Sequence, residues 1–247
     1  MPQRECAFCP STAKLSAEHI WSRWISELHP GKKLFRHYGP DGNVTKEWLG
    51  EKLNWTAKVV CEQCNNTWMS DIENIHAKPA LSELIAGNSD VAIEAPRARS
   101  IALFCFKTAL VVDLISPLGS PFFRKTERYA FRTFLAIPEI VNIWMTKLVP
   151  RGKGRVNSRY GKASISPVEM VRSYICTFAT GHFVFQLVAI RSSRPFEPLP
   201  GFEHLAIPFY PRFRNFTWPP ICALSDTRQF EIFATRWTSL TTPADWP

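Results

Sequence analysis

Two Cys-x-x-Cys pairs, Cys6-Ala7-Phe8-Cys9 and Cys61-Glu62-Gln63-Cys64, bracket the first quarter of the chain, and the pair Glu18-His19 lies between them. A Cys-x-x-Cys turn carries two thiolates to one side of a tight loop, where backbone N–H groups can also support the sulfurs. Two such turns supply the four soft donors of a closed, tetrahedral structural site. Zinc is therefore the expected cofactor, held by Cys6, Cys9, Cys61 and Cys64. The Glu18-His19 pair points to a different chemistry. Imidazole titrates near neutral pH, so a neutral His19 is suited to take a proton from water. Glu18 adds a hard oxygen donor beside it. Asn65 and Asn66 follow the last cysteine directly. The other three cysteines, Cys105, Cys176 and Cys222, sit in apolar sequence and read as small buried hydrophobes.

The stretch between Cys9 and Cys61 is longer than a simple zinc ribbon needs, so elements must be built inside it. Apolar residues at 20, 21, 24, 25 and 28 give helical spacing, and His29-Pro30-Gly31 ends that helix. Phe35–Tyr38 and Val44–Trp48 read as strands around the turn signal Asp41-Gly42-Asn43. A short strand from Ala57 to Val60 delivers the chain to Cys61. From Cys64 onward, Trp68, Met69, Ile72 and Ile75 share one helical face. Pro79 is expected to break that helix or bend it into the next, Ala80–Ala86. Adjacent side chains on an ideal strand point to opposite faces. Glu18 and His19 can therefore serve one point only if the backbone is irregular there.

Taken together, Cys-x-x-Cys, an acid–His pair, and Cys-x-x-Cys-Asn opening a helix resemble the HNH (His-Me finger, ββα-metal) endonuclease family, in its version with two zinc knuckles. The resemblance covers about residues 1–75. It implies a DNA endonuclease in which zinc pins a hairpin against a helix. It makes His19 the general base, and Glu18 and Asn65 (with Asn66 as the alternative to Asn65) the ligands of a single catalytic divalent ion, Mg²⁺ or Mn²⁺. Such an ion would relieve charge on the leaving oxygen and orient the phosphate. Three departures are visible. Glu18 stands where the family often has Asp. Met69 occupies the place, one turn beyond Asn65, where the family often carries another His or Asn. Asn54 is the nearest match to a bracing Asn, and it lies well before the second knuckle.

The whole chain has 247 residues, a formal net charge of +9 and a sequence pI near 9.4, which favours an anionic partner. DNA is the expected partner, with RNA as an open alternative. Arg23 follows the base on the helix and is placed to approach a phosphate. Lys147, Arg151, Lys153, Arg155, Arg159 and Lys162 make a glycine-bearing basic run with no acid in it. This run reads as a loop that either stays solvated or follows a phosphate backbone. Around it the pattern predicts an apolar helix over 101–116, interrupted by Lys107 and Asp113. It also predicts a basic helix over 122–135, a strand over 141–148, a hairpin turning at Thr180-Gly181, and a last short strand or helix over 230–237.

No run of about 18 apolar residues is present, so no membrane span is expected. Unpaired, metal-spaced cysteines and the absence of a signal-like N-terminus point to the reducing cytoplasm. The expected fold class is α+β. An N-terminal zinc-stabilised ββα-metal module over 1–86 precedes a mixed α+β domain over 101–247, with the polar stretch 87–100 as boundary. One active site per chain suits nicking, or double-strand cutting by a homodimer. Two rival readings stay open: a non-catalytic zinc module that binds nucleic acid, and a protein-interaction domain using the aromatic C-terminal half.

Overall fold

The stretch between the cysteine pairs folds into short elements that bring its two ends together. In the computed structural model, which describes residues 5–31, 33–38, 44–50, 53–115, 120–166, 169–192, 205–211, 215–221 and 223–235, the first strand is β1 (Leu15–His19). A short helix, α1 (Arg23–Glu27), buries Trp24, Ile25 and Ser26. β2 (Lys33–Tyr38) and β3 (Val44–Gly50) form an antiparallel hairpin, whose expected turn at 41–43 lies outside the described residues. β4 (Thr56–Cys61) returns beside β1, pairing Leu15 with Cys61 and His19 with Thr56. The pairing slips between Ser16 and Glu18, so the strand is irregular next to the acid–histidine pair.

The chain from 62 to 86 is helical throughout. It opens with α2 (Glu62–Cys64), passes through the wider π turns Asn65–Met69 and Ile72–Ala77, and ends as α3 (Lys78–Ala86). Its one non-helical residue is Thr67, at φ −111° and ψ −107°. Pro79 does not break the run. It sits in the first turn of α3, directly after the wider turn Ile72–Ala77. Gly87, at φ +89°, closes α3 in the left-handed conformation.

The expected boundary is bridged rather than open. β5 (Val91–Ile93) pairs antiparallel with residues Phe216–Trp218, and α4 (Ala95–Leu114) follows at once. α4 is buried on nearly every side from Ala98 to Asp113, as expected of a helix that is apolar all round. One continuous core around it contains Phe8, Trp21, Val60, Met69, Leu84, Phe104, Phe178 and Phe185, so the two expected units share their interior. α5 (Lys125–Phe134) packs Phe131 against Trp68 and Phe106.

The rest is largely β. β6 (Val141–Ser166) and β7 (Glu169–Arg191) pair antiparallel, with β8 (Ile207–Tyr210) and β10 (Ala223–Leu224) added to β6. β9 (Phe216–Trp218) is the partner of β5, and α6 (Thr227–Thr235) closes the described chain. The basic run 147–162 is therefore strand, not loop. Val156 and Tyr160 face the main core, while Arg155 lies over Phe230 in a second core beyond the sheet. The period of two shows at Val156 and Tyr160 on one face and at Arg155 on the other.

β7 reverses on itself. Thr177 Oγ1 accepts a hydrogen bond from Gln186 Nε2 at 2.9 Å, and Phe178 stacks on Phe185 with ring centroids 5.2 Å apart. A straight strand of that many residues would separate them by about 25–30 Å. The turn is at Gly181, which takes φ +56°, in agreement with the reversal that Thr180-Gly181 predicts. This tip is where the N-terminal elements seat. His29 Nε2 lies 2.9 Å from Thr180 Oγ1, and a Cβ at Gly181 would meet the Ile85 carbonyl. Nearby, a Cβ at Gly154 would lie 2.6 Å from the Trp21 ring. Among the described residues no helix is long and apolar enough to cross a membrane.

Candidate metal and hydrolytic site

The four spaced cysteines converge. The Sγ atoms of Cys6, Cys9, Cys61 and Cys64 all lie within 4.8 Å of one another, and all four residues are buried. The first turn is closed by Cys6 N–H donating to Ser11 O at 2.8 Å. Ala7 N–H bonds Val59 O at 2.9 Å, tying that turn to β4. Arg128 on α5 donates to Ala7 O at 2.9 Å and also to Phe123 O, which fixes the knuckle from the far side. Cys6 Sγ accepts from the backbone N–H of Phe8 at 3.5 Å and of Cys61 at 3.3 Å, the support expected for a thiolate. Burial pushes the Cys9 and Cys64 thiols up. Burial also opposes ionisation of Cys61, but the Cys64 backbone and the neighbouring thiols outweigh it and lower its pKa. Four such sulfurs carry their full negative charge together only around a cation. The quartet is positioned to hold a metal ion. As the apolar context predicts, Cys105 and Cys176 are buried, while Cys222 lies outside the described residues.

Glu18, His19 and Asn65 are brought close by the same scaffold. Asn65 Nδ2 donates to Ser16 Oγ at 2.8 Å and to Ala17 O at 3.4 Å, which clasps β1 just before the acid–histidine pair. His19 is half-buried. Burial lowers its pKa; the charge of Glu73 opposes that shift, and those of Arg23 and Lys107 add to it. The imidazole is thus held neutral at neutral pH. Arg23 is exposed at the start of α1.

Glu18 is not open to solvent. Its Oε1 lies 2.5 Å from Lys107 Nζ, and the same ammonium lies 2.5 Å from Glu73 Oε1. The side chains of Lys107, Glu18 and Glu73 are only 1%, 4% and 14% exposed. The Lys107 pKa is raised, because the two carboxylates outweigh the effect of burial. The Glu18 pKa is raised too, because burial together with the Glu73 charge outweighs Lys107. This placement bears on the divalent ion that the resemblance implies. A hydrated Mg²⁺ keeps several waters and needs an open carboxylate face, and Glu18 offers a buried carboxylate already bonded to an ammonium. As an open ligand, Glu18 does not fit. The amide oxygen of Asn65 remains a donor of the right kind.

Glu73 and Lys107 carry no motif spacing, and sequence reasoning missed them as site residues. The only signal was a lysine in the middle of the apolar stretch 101–116. Asp113, the other charge in that stretch, has a structural task. It accepts hydrogen bonds from Phe122 N–H at 2.9 Å, Phe123 N–H at 3.0 Å and Tyr160 Oη at 2.9 Å.

Arg155 pairs with Glu231 at 3.0 Å on the α6 side of the sheet. Lys147 and Arg159 are half-buried on β6. The side chains of Arg151, Lys153 and Lys162 lie outside the described residues. The chain matches no family model, no curated protein and no solved structure.

Proposed function

We propose that this chain is a zinc-stabilised endonuclease that hydrolyses DNA phosphodiester bonds with His19 as general base. The observation that carries the reading is the placement of His19. A half-buried imidazole, whose pKa burial lowers, stands at the end of β1 just past the slip in its pairing, and Asn65 clasps that strand to a helix that begins in the cysteine quartet. Four thiolates in this spacing suit zinc, which takes tetrahedral sulfur sites and has no redox chemistry of its own.

In the hydrolytic step His19 takes a proton from water. The water oxygen forms a bond to phosphorus as the bond from phosphorus to the leaving sugar oxygen breaks. Arg23, exposed beside the base, is the cation available to the phosphate. The net charge of +9 favours the anionic substrate. A divalent ion, where one takes part, supplies further charge relief at the leaving oxygen.

Supercoiled-plasmid nicking by the zinc-loaded chain tests the reading, with and without Mg²⁺ or Mn²⁺ and alongside His19→Ala. The expected loss in His19→Ala is about 10²- to 10⁴-fold. Nicking at the parent rate in that variant sinks the assignment of the base. Binding without cleavage in both proteins moves the chain to the class of zinc-containing nucleic-acid binders.

A further inference from the structure

We propose that Lys107, which lies on α4 outside the cysteine module, is a positioning residue for the His19 site: its ammonium fixes Glu18 and Glu73, and through them the place of the imidazole. The inference rests on the hydrolytic reading above and concerns which parts of the chain the site requires.

Three observations support it. First, Lys107 is fully buried in the middle of α4, among Phe104, Phe106, Leu110 and Val111. Packing alone does not call for a charge there. Replacing a buried ion cluster with apolar side chains of similar volume is often neutral or stabilising. Second, the ammonium makes short, directional bonds to carboxylates on two other elements. Glu18 is at the end of β1, and Glu73 is in the helical run that follows Cys64, each 2.5 Å from Nζ. An aliphatic side chain would fill the space without setting the distance between those elements. Third, Glu18 is the immediate neighbour of His19, and the imidazole feels the charges of both Glu73 and Lys107. A shift of the Glu18 carboxylate therefore displaces the base. Misplacing a catalytic group by about 1 Å costs on the order of a hundredfold in rate.

The site then cannot be confined to the stretch that resembles a nuclease module. Its last anchoring group comes from α4, which shares the central core with β6 and β7. The sheet is thus part of the platform that holds the base.

The test uses the full, zinc-loaded chain and three variants: Lys107→Met, Lys107→Arg and the double variant Lys107→Met/Glu73→Gln. Zinc content and melting temperature establish folding. Plasmid nicking gives kcat and KM, and ¹⁵N-histidine NMR reads the His19 ring in the free protein, assigned by comparison with His19→Ala. The expected result for Lys107→Met is a bound zinc, a fall of about a hundredfold in kcat with KM changed by less than about threefold, and displaced or doubled His19 ring signals. Lys107→Arg, which keeps the charge, regains activity that Lys107→Met has lost. Parent kcat together with parent His19 signals in Lys107→Met overturns the proposal.

If Lys107→Met does not fold, the double variant answers instead. It removes one charge of each sign and leaves the cluster's net charge as in the parent. Parent kcat and parent His19 signals in that variant likewise overturn the proposal. If the parent itself does not nick DNA, the hydrolytic reading fails, and the His19 signals alone decide whether Lys107 positions the ring.

Discussion

Two buried charge clusters join the N-terminal elements, and they solve the same electrostatic problem in opposite ways. The cysteine quartet gathers four sulfurs within 4.8 Å and contains no positive charge of its own. The Glu18–Lys107–Glu73 cluster gathers two carboxylates around an ammonium that the chain supplies. The first arrangement depends on an ion from solution. The second is complete as soon as α4 packs. One consequence is a division of labour: a metal in the quartet would couple folding of the knuckles to metal supply, while the triad ties the strand carrying the candidate base to the central helix with a charge of the chain's own. A second consequence is that the two clusters respond differently to perturbation.

Metal removal should have the largest effect. Structural zinc in small sulfur sites supplies about 10–16 kcal/mol of apparent binding energy at neutral pH, and that energy is folding energy. Stripping the ion with a strong chelator should therefore unfold the knuckles and the β1–β4 pair, with a large fall in melting temperature. Hydrogen exchange should show loss of protection over 5–31 and 56–69, while β6 and β7 keep more of theirs. A melting temperature unchanged after complete zinc removal would mean that packing around Phe8, Trp68 and Phe131 holds the quartet unaided.

The triad should tolerate a change that the quartet would not. Two carboxylates meet one ammonium, so the cluster carries one negative charge in excess. Glu18→Gln keeps the shape and the acceptor oxygen and removes that excess. Its expected cost is within about 1 kcal/mol, because Lys107 retains Glu73. Breaking a buried pair outright costs about 3–5 kcal/mol. Urea unfolding of Glu18→Gln distinguishes the two cases, and a loss in the larger range would identify Glu18 as the principal partner of Lys107.

The same contrast explains what could be read from the sequence. The quartet is spelled by two local spacings, and each Cys-x-x-Cys turn makes its geometry almost alone. The β2–β3 hairpin, α4 and the reversal at Gly181 are local patterns of the same kind. Strand geometry called for irregular backbone at Glu18-His19, and the slip lies just before it, between Ser16 and Glu18. By contrast, the triad joins residues 89 and 34 positions apart, and neither glutamate differs in type from the many that stay in water. Only tertiary packing selects Glu73. The run 147–162 looked like a loop because cations and glycines hid the alternation that Val156 and Tyr160 preserve. The polar stretch 87–100 looked like a linker because the partner of β5 lies at 216–218, far along the chain.

Asn65 stands between the two clusters, and the smallest expected effect carries the sharpest sign. It follows the last cysteine, and its Nδ2 is bonded to Ser16 Oγ and Ala17 O. If Asn65 acts only as a brace, Asn65→Asp replaces a donor with an acceptor facing a carbonyl oxygen. The Ser16 hydroxyl can turn to donate, but the bond to Ala17 is lost and becomes a repulsion. The expected cost is about 1 kcal/mol, with no gain in affinity for a hard cation. If Asn65 Oδ1 instead meets a divalent ion during catalysis, a carboxylate at the same point strengthens that contact, and Mn²⁺ binding tightens even as stability falls. Thermal melting paired with a Mn²⁺ titration by electron paramagnetic resonance separates the two. With Asn65 Nδ2 engaged on β1 and Glu18 held by Lys107, the bracing outcome is the one expected. It would place the candidate site's electrostatics on Arg23 and the chain's own ammonium rather than on a tightly bound ion.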